Sequence, residues 1–133
     1  MSAMLLEVTP IAPSKATRWT GRTLTGIAVL FLIFDMTIKL VGAAEAVEGT
    51  VQLGWAPHHL PILGAIQAAC LALYLIPRTA PLGAVLWTGY LGGAIATHVR
   101  ISDSFTAPLI IGLLVWGGLY LRDARVRALL RAR

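Results

Sequence analysis

A long stretch without a charged side chain, TAPLGAVLWTGYLGGAIATHV, lies between Arg78 and Arg100. A helix that crosses the hydrocarbon layer of a bilayer needs about 20 mainly apolar residues, because each residue adds only about 1.5 Å of rise. A helix in the core of a soluble protein seldom needs so long an apolar run. Thr79–Arg100 is therefore predicted to span a membrane.

Small residues recur along this stretch at helical spacing. Gly89, Gly93 and Thr97 lie four residues apart, and Gly92 and Ala96 form a second row beside them. Glycines four apart let two membrane helices approach closely, and helices in lipid associate through such packing. The two rows are therefore predicted to form a contact face between helices.

The composition of the whole chain agrees with a membrane location. Of the 133 residues, 57% are hydrophobic and 13% are charged, whereas about 25% of the residues of a soluble domain are charged. The mean hydropathy is +0.77. Cys70 is the single cysteine, so the chain alone can form neither an internal disulfide nor a dithiol redox pair.

Four apolar segments predict an all-α fold, an antiparallel four-helix transmembrane bundle. We expect a flexible tail at residues 1–17, a transmembrane domain at 18–122 and a basic cytoplasmic tail at 123–133. The helices are expected at about 20–42, 60–76, 79–99 and 106–121. The connection Glu45–His59 is expected to be ordered.

The first apolar segment also has a second interpretation. Basic residues, an apolar run and the small residues at Val41–Ala44 resemble a secretory signal peptide with its cleavage site. Asp35 and Lys39 within the run, and the three apolar segments after it, favour a spanning helix.

The basic residues indicate an orientation. In a four-span bundle, nine of the eleven lysines and arginines lie at one end, and only Lys39 and Arg100 lie near the other. The positive-inside rule places the basic end in the cytoplasm. Both termini are therefore expected to be cytoplasmic.

Asp35 and Lys39 are the charged residues inside the first span. Their spacing of four puts them on one helix face, where pairing lowers the cost of burying either charge. Two interpretations stay open: a structural ion pair that fixes helix packing, or part of a polar site that faces the bundle interior.

Other polar residues of the spans lie at a similar depth, in the outer half of the bilayer. We expect them to converge on Asp35 and form a ligand pocket between helices, with apolar walls. The candidate pocket residues are Asp35, Lys39, Gln67, Tyr90, His98 and Arg100.

Metal, nucleic-acid and catalytic signatures are weak. His58, His59 and His98 are candidate metal ligands, but adjacent histidines in a loop match no specific ligand spacing. The sequence contains no complete catalytic motif, no glycine-rich phosphate loop and no nucleic-acid signature. The basic tail is interpreted as a membrane anchor for anionic headgroups.

Several motifs resemble the DoxX-like family of small bacterial four-helix integral membrane proteins. They are PRTAPLG at Pro77–Gly83, GYLGGAIATHVR at Gly89–Arg100 and WGGLYLRD at Trp116–Asp123, together with Asp35 and Lys39. The resemblance implies a multi-pass protein of the bacterial cytoplasmic (inner) membrane. It also implies a link to quinone-coupled sulfur oxidation or to membrane complexes that handle oxidative stress.

Two hypotheses about function follow. In the first, the protein binds a small hydrophobic molecule in the outer-leaflet pocket or supports a membrane assembly, without a cofactor. In the second, it is a membrane subunit of a quinone-linked oxidoreductase complex, with Asp35 and His98 handling protons. The expected partners are the lipid bilayer, membrane or redox proteins and a second copy of the chain. No nucleic acid is expected.

Overall fold

The computed structural model describes residues 12–131, and these residues form helices and turns without a β-strand. The four long helices are α1 (Lys15–Leu40), α3 (Leu60–Leu75), α4 (Ala80–Arg100) and α5 (Thr106–Arg122). Two short helices are α2 (Ala44–Gln52) and α6 (Ala124–Arg131), and a 3₁₀ turn covers Pro57–His59. The all-α prediction is confirmed for the described residues.

Helix α1 begins earlier than the sequence suggested. Ser14 is its N-cap, and the Ser14 hydroxyl accepts a hydrogen bond from the Thr17 backbone N–H. A serine at this position satisfies one of the free N–H groups of the first turn. The helix therefore includes Lys15–Thr17, which the sequence predicts as part of a flexible tail; residues 1–11 of that tail lie outside the described residues.

Apolar length sets which helices can cross a membrane. By length and composition, Lys15–Leu40 and Pro57–Leu75 qualify, and the number rises to three if α5 and α6 count as one bent span. Helix α4 has 21 residues, but its glycines and His98 lower its hydropathy, and α5 has only 17 residues. Four crossings therefore stay a prediction.

Helix α1 carries much of the exposed apolar surface. Leu30 is 71% exposed and Phe34 is 63% exposed, and Ile27 and Phe31 lie beside them. Water would make such a surface costly, whereas lipid solvates it. The long apolar helices therefore indicate that the chain is a membrane protein.

Contacts between helices place their ends together in pairs. Helix α1 packs against α3 and α5, and α4 packs against the same two helices. The start of α1 meets the end of α5 at Gly21 and Gly118, while Leu40 at its other end meets Gly64 near the start of α3. Tyr74 near the end of α3 meets Gly83 in the first turn of α4.

The buried core lies between these four helices. Trp87, Tyr74 and Leu32 are among its largest fully buried side chains. The Tyr74 hydroxyl donates a 2.8 Å hydrogen bond to the Val115 carbonyl. This bond joins α3 to α5 across the core and satisfies a polar group that lipid or an apolar interior would otherwise leave unpaired.

Within residues 12–131, Gly89, Gly92 and Gly93 contact no other helix, so the expected contact face was wrong for these glycines. A Cβ atom added at Gly89, Gly92 or Gly93 would have no atom within 4 Å outside its own helix segment. The close approaches occur instead at Gly21, Gly83, Gly118 and Gly64. At Gly118, an added Cβ would lie 2.9 Å from the Thr25 nitrogen and 3.0 Å from the Gly21 carbonyl oxygen.

Helix α6 turns away from α5 by 99°. Asp123 stands at the break, where its Oδ1 accepts a 2.9 Å hydrogen bond from the Arg125 backbone N–H. The Arg125 guanidinium donates to Asp123 Oδ2 at 2.8 Å and to the Pro77 carbonyl at 2.6 Å. The hydrogen bond from the Arg125 side chain lowers the pKa of Asp123. These contacts fasten α6 to the turn between α3 and α4.

Matched glycine variants in α4 test this packing. Gly83→Ala should destabilise the protein by about 1–3 kcal/mol, because the added methyl group meets the Tyr74 backbone, which cannot rotate away. Gly93→Ala should leave stability unchanged or raise it by up to about 1 kcal/mol, because alanine favours a helix and the space is open. Thermal unfolding in detergent measures both. A larger loss for Gly93→Ala would contradict the packing described.

Candidate functional site

A cavity of about 610 Å³ lies at the end of the molecule where α1 ends and α3 begins. The second half of α4 and the first turns of α5 complete its walls, and the α2 region lies over the same end. Its apolar lining includes Phe31, Leu32, Ile66, Leu91 and Ile111. A volume between about 300 and 1,000 Å³ is usual for a small-molecule site.

The main polar group of the cavity is the Asp35 carboxylate. Lys39 lies one turn later on α1, and its Nζ forms an ion pair with Asp35 Oδ2. Gln67 reaches across from α3 and donates from Nε2 to the same oxygen at 2.6 Å. Asp35 and Lys39 are therefore paired as their spacing predicted, and Gln67 joins the pair to a second helix.

The Asp35 carboxylate fixes the orientation of the Gln67 amide. Paired with an ammonium group, the carboxylate only accepts hydrogen bonds, so Gln67 must present its NH₂ group to Asp35. Its carbonyl oxygen then points elsewhere. Gln67 is only 1% exposed, and among the described residues its Oε1 accepts no hydrogen bond. A buried acceptor without a partner costs about 1–3 kcal/mol.

Tyr90 and His98 line the cavity from α4. The Trp87 ring meets the Tyr90 ring edge-on, with centroids 5.6 Å apart, and so limits its rotation. The Nδ1 atom of His98 lies 3.0 Å from Asp103 Oδ2 in the following turn. The Ser104 backbone N–H, and then His98, hold the pKa of Asp103 below its usual value. Asp103 thereby orients the His98 ring.

Arg100 lies apart from the other five candidate residues. Its Nη2 donates a 2.6 Å hydrogen bond to the Leu53 carbonyl, and its guanidinium packs against Gly54, which has a positive φ of 89°. Arg100 thus ties the end of α4 to the turn after α2. The structure brings five of the six candidate pocket residues to one cavity: Asp35, Lys39, Gln67, Tyr90 and His98.

The candidate metal ligands are not gathered into a cluster. The rings of His58 and His59 lie against each other, tilted by 59° with centroids 4.2 Å apart, and His59 packs edge-on against Trp55. His98 contacts Asp103 instead. Within residues 12–131, no three His, Cys, Asp or Glu side chains lie close enough together to hold a metal ion.

Sequence reasoning missed other residues of the cavity wall. Thr50 and Trp55 come from the connection between α1 and α3, which we expected to be ordered but did not assign to the pocket. Cys70 lies three residues after Gln67, so helical spacing could have placed it on the same wall. Gly89 and Gly93 also line the cavity, and the space beside them is part of it.

The arrangement combines apolar walls with a buried hydrogen-bond acceptor that has no partner among the described residues, Gln67 Oε1. Asp35 and Lys39 neutralise each other, and the Gln67 carbonyl oxygen is left to accept a hydrogen bond. A neutral molecule with one N–H or O–H group and an apolar body matches both features.

Comparison with known proteins gives a family match. The model of the DoxX-like family matches residues 23–118, which contain α2, α3, α4 and most of α1 and α5. No curated protein and no solved structure matches the chain.

Single and double variants test how the ion pair contributes to stability. Lys39→Met should destabilise the protein by about 2 kcal/mol or more, because it leaves a partly buried carboxylate without its counter-charge. The double variant Asp35→Leu/Lys39→Met removes both charges and should recover most of that loss. Recovery stays partial, because Gln67 then loses its acceptor. Thermal unfolding of the single and double variants checks this; a double variant less stable than Lys39→Met would contradict it.

Proposed function

The chain belongs to the DoxX-like family, and we propose that it is a multi-pass protein that binds a small neutral molecule in its membrane-embedded cavity. The ligand has an apolar body and donates one hydrogen bond. The site is built from Asp35, Lys39, Gln67, Tyr90 and His98.

We place the four long helices across the cytoplasmic membrane of a bacterium as an antiparallel bundle. The pairing of helix ends supports this arrangement, since the start of α1 meets the end of α5 and the end of α3 meets the start of α4. Basic residues concentrate at the end where α1 starts and α5 ends, which is then cytoplasmic. The cavity consequently lies in the outer leaflet.

Helix α6 supports the same orientation. It is bent by 99° from α5 and combines arginines with Leu129 and Leu130, which are 74% and 66% exposed. Arginines beside exposed leucines are typical of a segment that lies at the membrane surface. Helix α6 then rests on the cytoplasmic face, where anionic lipids attract its charges.

The observation that carries the proposal is Gln67, which lines the apolar cavity and whose buried Oε1 has no hydrogen-bond partner among the described residues. The Asp35 carboxylate holds the amide in this orientation through a 2.6 Å hydrogen bond. An acceptor held in place before binding loses little freedom when a ligand arrives. A donor on the ligand also removes the cost of leaving the oxygen unpaired.

The charge of the ligand follows from the same network. Asp35 is satisfied by Lys39 and Gln67, so the site presents no free charge to a cation or an anion. An ionic ligand would have to leave water for an apolar cavity without a counter-charge, at a cost of several kcal/mol. A neutral ligand avoids this cost.

The alternative function is that of a subunit of a quinone-linked oxidoreductase complex. A quinone ligand would need different hydrogen-bonding groups in the site. An oxidised quinone carries carbonyl acceptors, which cannot donate to Gln67 Oε1. Its reduced form carries hydroxyl donors and fits the acceptor. At Gln67 Oε1, a ligand that donates is therefore favoured over an oxidised quinone, whose carbonyls can accept only from donors of the cavity such as the Tyr90 hydroxyl.

Two probes that differ in one donor test the proposal. Para-bromophenol and para-bromoanisole share a ring and a bromine atom, but only the phenol donates a hydrogen bond. Bromine quenches nearby tryptophan fluorescence, and Trp55 lines the cavity. In wild-type protein in nanodiscs, both probes should quench saturably, and the phenol should bind about tenfold more tightly, the equivalent of one good hydrogen bond.

Gln67→Leu should remove the preference for the phenol and leave the anisole affinity nearly unchanged. Gln52→Leu is the matched control, because Gln52 is exposed on α2 and does not line the cavity. Trp55→Phe should remove most of the saturable quenching. Quenching that rises linearly with either probe in the wild type would show partitioning into lipid and would refute binding in the cavity.

A further inference from the structure

We propose a second binding site, an arginine pocket formed by Arg18, Arg22 and Arg122, that binds the phosphate group of an anion. It lies at the basic end of the molecule. Arg22 and Asp35 are thirteen residues apart on α1, so the two sites are separated by about 20 Å along that helix. The proposal is independent of a ligand in the cavity.

Close packing of α1 on α5 assembles the arginine pocket. Gly21 meets Gly118 and the Arg122 backbone nitrogen, which brings the first turns of α1 beside the last turn of α5. Arg18 and Arg22 are four residues apart and share a face of α1. The resulting pocket has a volume of about 520 Å³, and its remaining walls are Ala12, Pro13, Pro77 and Ala124.

The guanidinium groups of Arg22 and Arg122 are held in position by contacts that do not use their Nη atoms. The Nε atom of Arg122 donates a 3.1 Å hydrogen bond to Thr25 Oγ1, and its guanidinium lies 5.3 Å from the centroid of the Tyr74 ring. The Arg22 guanidinium lies 5.4 Å from the centroid of the Trp19 ring. Among the described residues, the Nη groups of Arg22 and Arg122 donate to no protein acceptor, so they remain available to a ligand.

The charge of the arginine pocket is uncompensated within the described residues. None of its lining residues is acidic, and the nearby Asp123 carboxylate is occupied by Arg125. Like charges four apart on a helix repel each other. An anion that binds between the three arginines would relieve this repulsion.

Phosphate suits this geometry better than other anions. Arginine forks donate two parallel hydrogen bonds to phosphate oxygens, and several oxygens allow one phosphate to contact more than one arginine. The phosphate can belong to a lipid headgroup of the cytoplasmic leaflet or to a soluble molecule. The shared chemistry is a phosphate group without an adjoining positive charge.

Native mass spectrometry of the full chain in detergent tests the proposal with three probes: phosphatidylglycerol, phosphatidylcholine and inorganic phosphate. We expect retention of phosphatidylglycerol over phosphatidylcholine, whose choline cation opposes binding. Arg18→Gln/Arg22→Gln should weaken this binding about tenfold or more, because each lost charged hydrogen bond is worth about a factor of ten. Lys15→Gln/Arg78→Gln is the matched control, since it removes the same charge at the same end of the molecule but outside the pocket and should weaken binding by less than about threefold.

The probes also identify the source of the phosphate. Phosphatidylglycerol binding without inorganic phosphate binding assigns the pocket to a lipid, and the reverse result assigns it to a soluble phosphate. Equal losses in the two double variants would mean general charge attraction and would overturn the proposal, as would no retention of either probe. Circular dichroism checks the fold of each variant, and Arg22→Gln replaces the double variant if that one does not fold.

Discussion

The Asp35 carboxylate is the interaction on which the cavity depends. It accepts from Lys39 on its own helix and from Gln67 on α3, so one oxygen links two helices. An isolated carboxylate would be costly in lipid, and the pair lowers that cost only while its geometry is kept. The same geometry forces the Gln67 carbonyl oxygen to remain unpaired. The geometry around the Asp35 carboxylate therefore both stabilises the ion pair and leaves the Gln67 oxygen free for a donor.

Glycines have two different roles in the bundle. At the basic end, Gly21, Gly118 and Gly83 allow backbones to touch, and the core closes around Tyr74. At the other end, Gly89 and Gly93 leave space that belongs to the cavity. Leu40 packs on Gly64 at this end as well, so α1 and α3 stay in contact beside the cavity.

The sequence predicted those features that depend on one helix alone. Helical spacing placed Asp35 beside Lys39, and apolar length identified the long helices. The orientation of one helix against another was not predictable in this way. Spacing cannot tell whether Gly93 faces a neighbouring helix, lipid or empty space. The expected helix contact at Gly93 was wrong, because the space beside it is open.

Contacts between segments that are distant in the chain could not be predicted either, because helical spacing describes one helix at a time. Gln67 lies 32 residues from Asp35 in the chain. The sequence predicted that the two residues lie at a similar depth in the membrane, but not that Gln67 donates a hydrogen bond to Asp35. Arg100 was expected at the pocket, but the Leu53 carbonyl in the turn after α2 holds its side chain. The charge of Arg100 alone did not indicate that acceptor.

The central claim is that Gln67 Oε1 accepts a hydrogen bond from a ligand, and NMR can test it at the Gln67 side chain. Protein labelled at the glutamine side-chain carbonyl carbon gives signals only from Gln52 and Gln67. Addition of para-bromophenol should move the Gln67 signal downfield and leave the Gln52 signal in place. An unchanged Gln67 signal at saturating phenol would contradict the account.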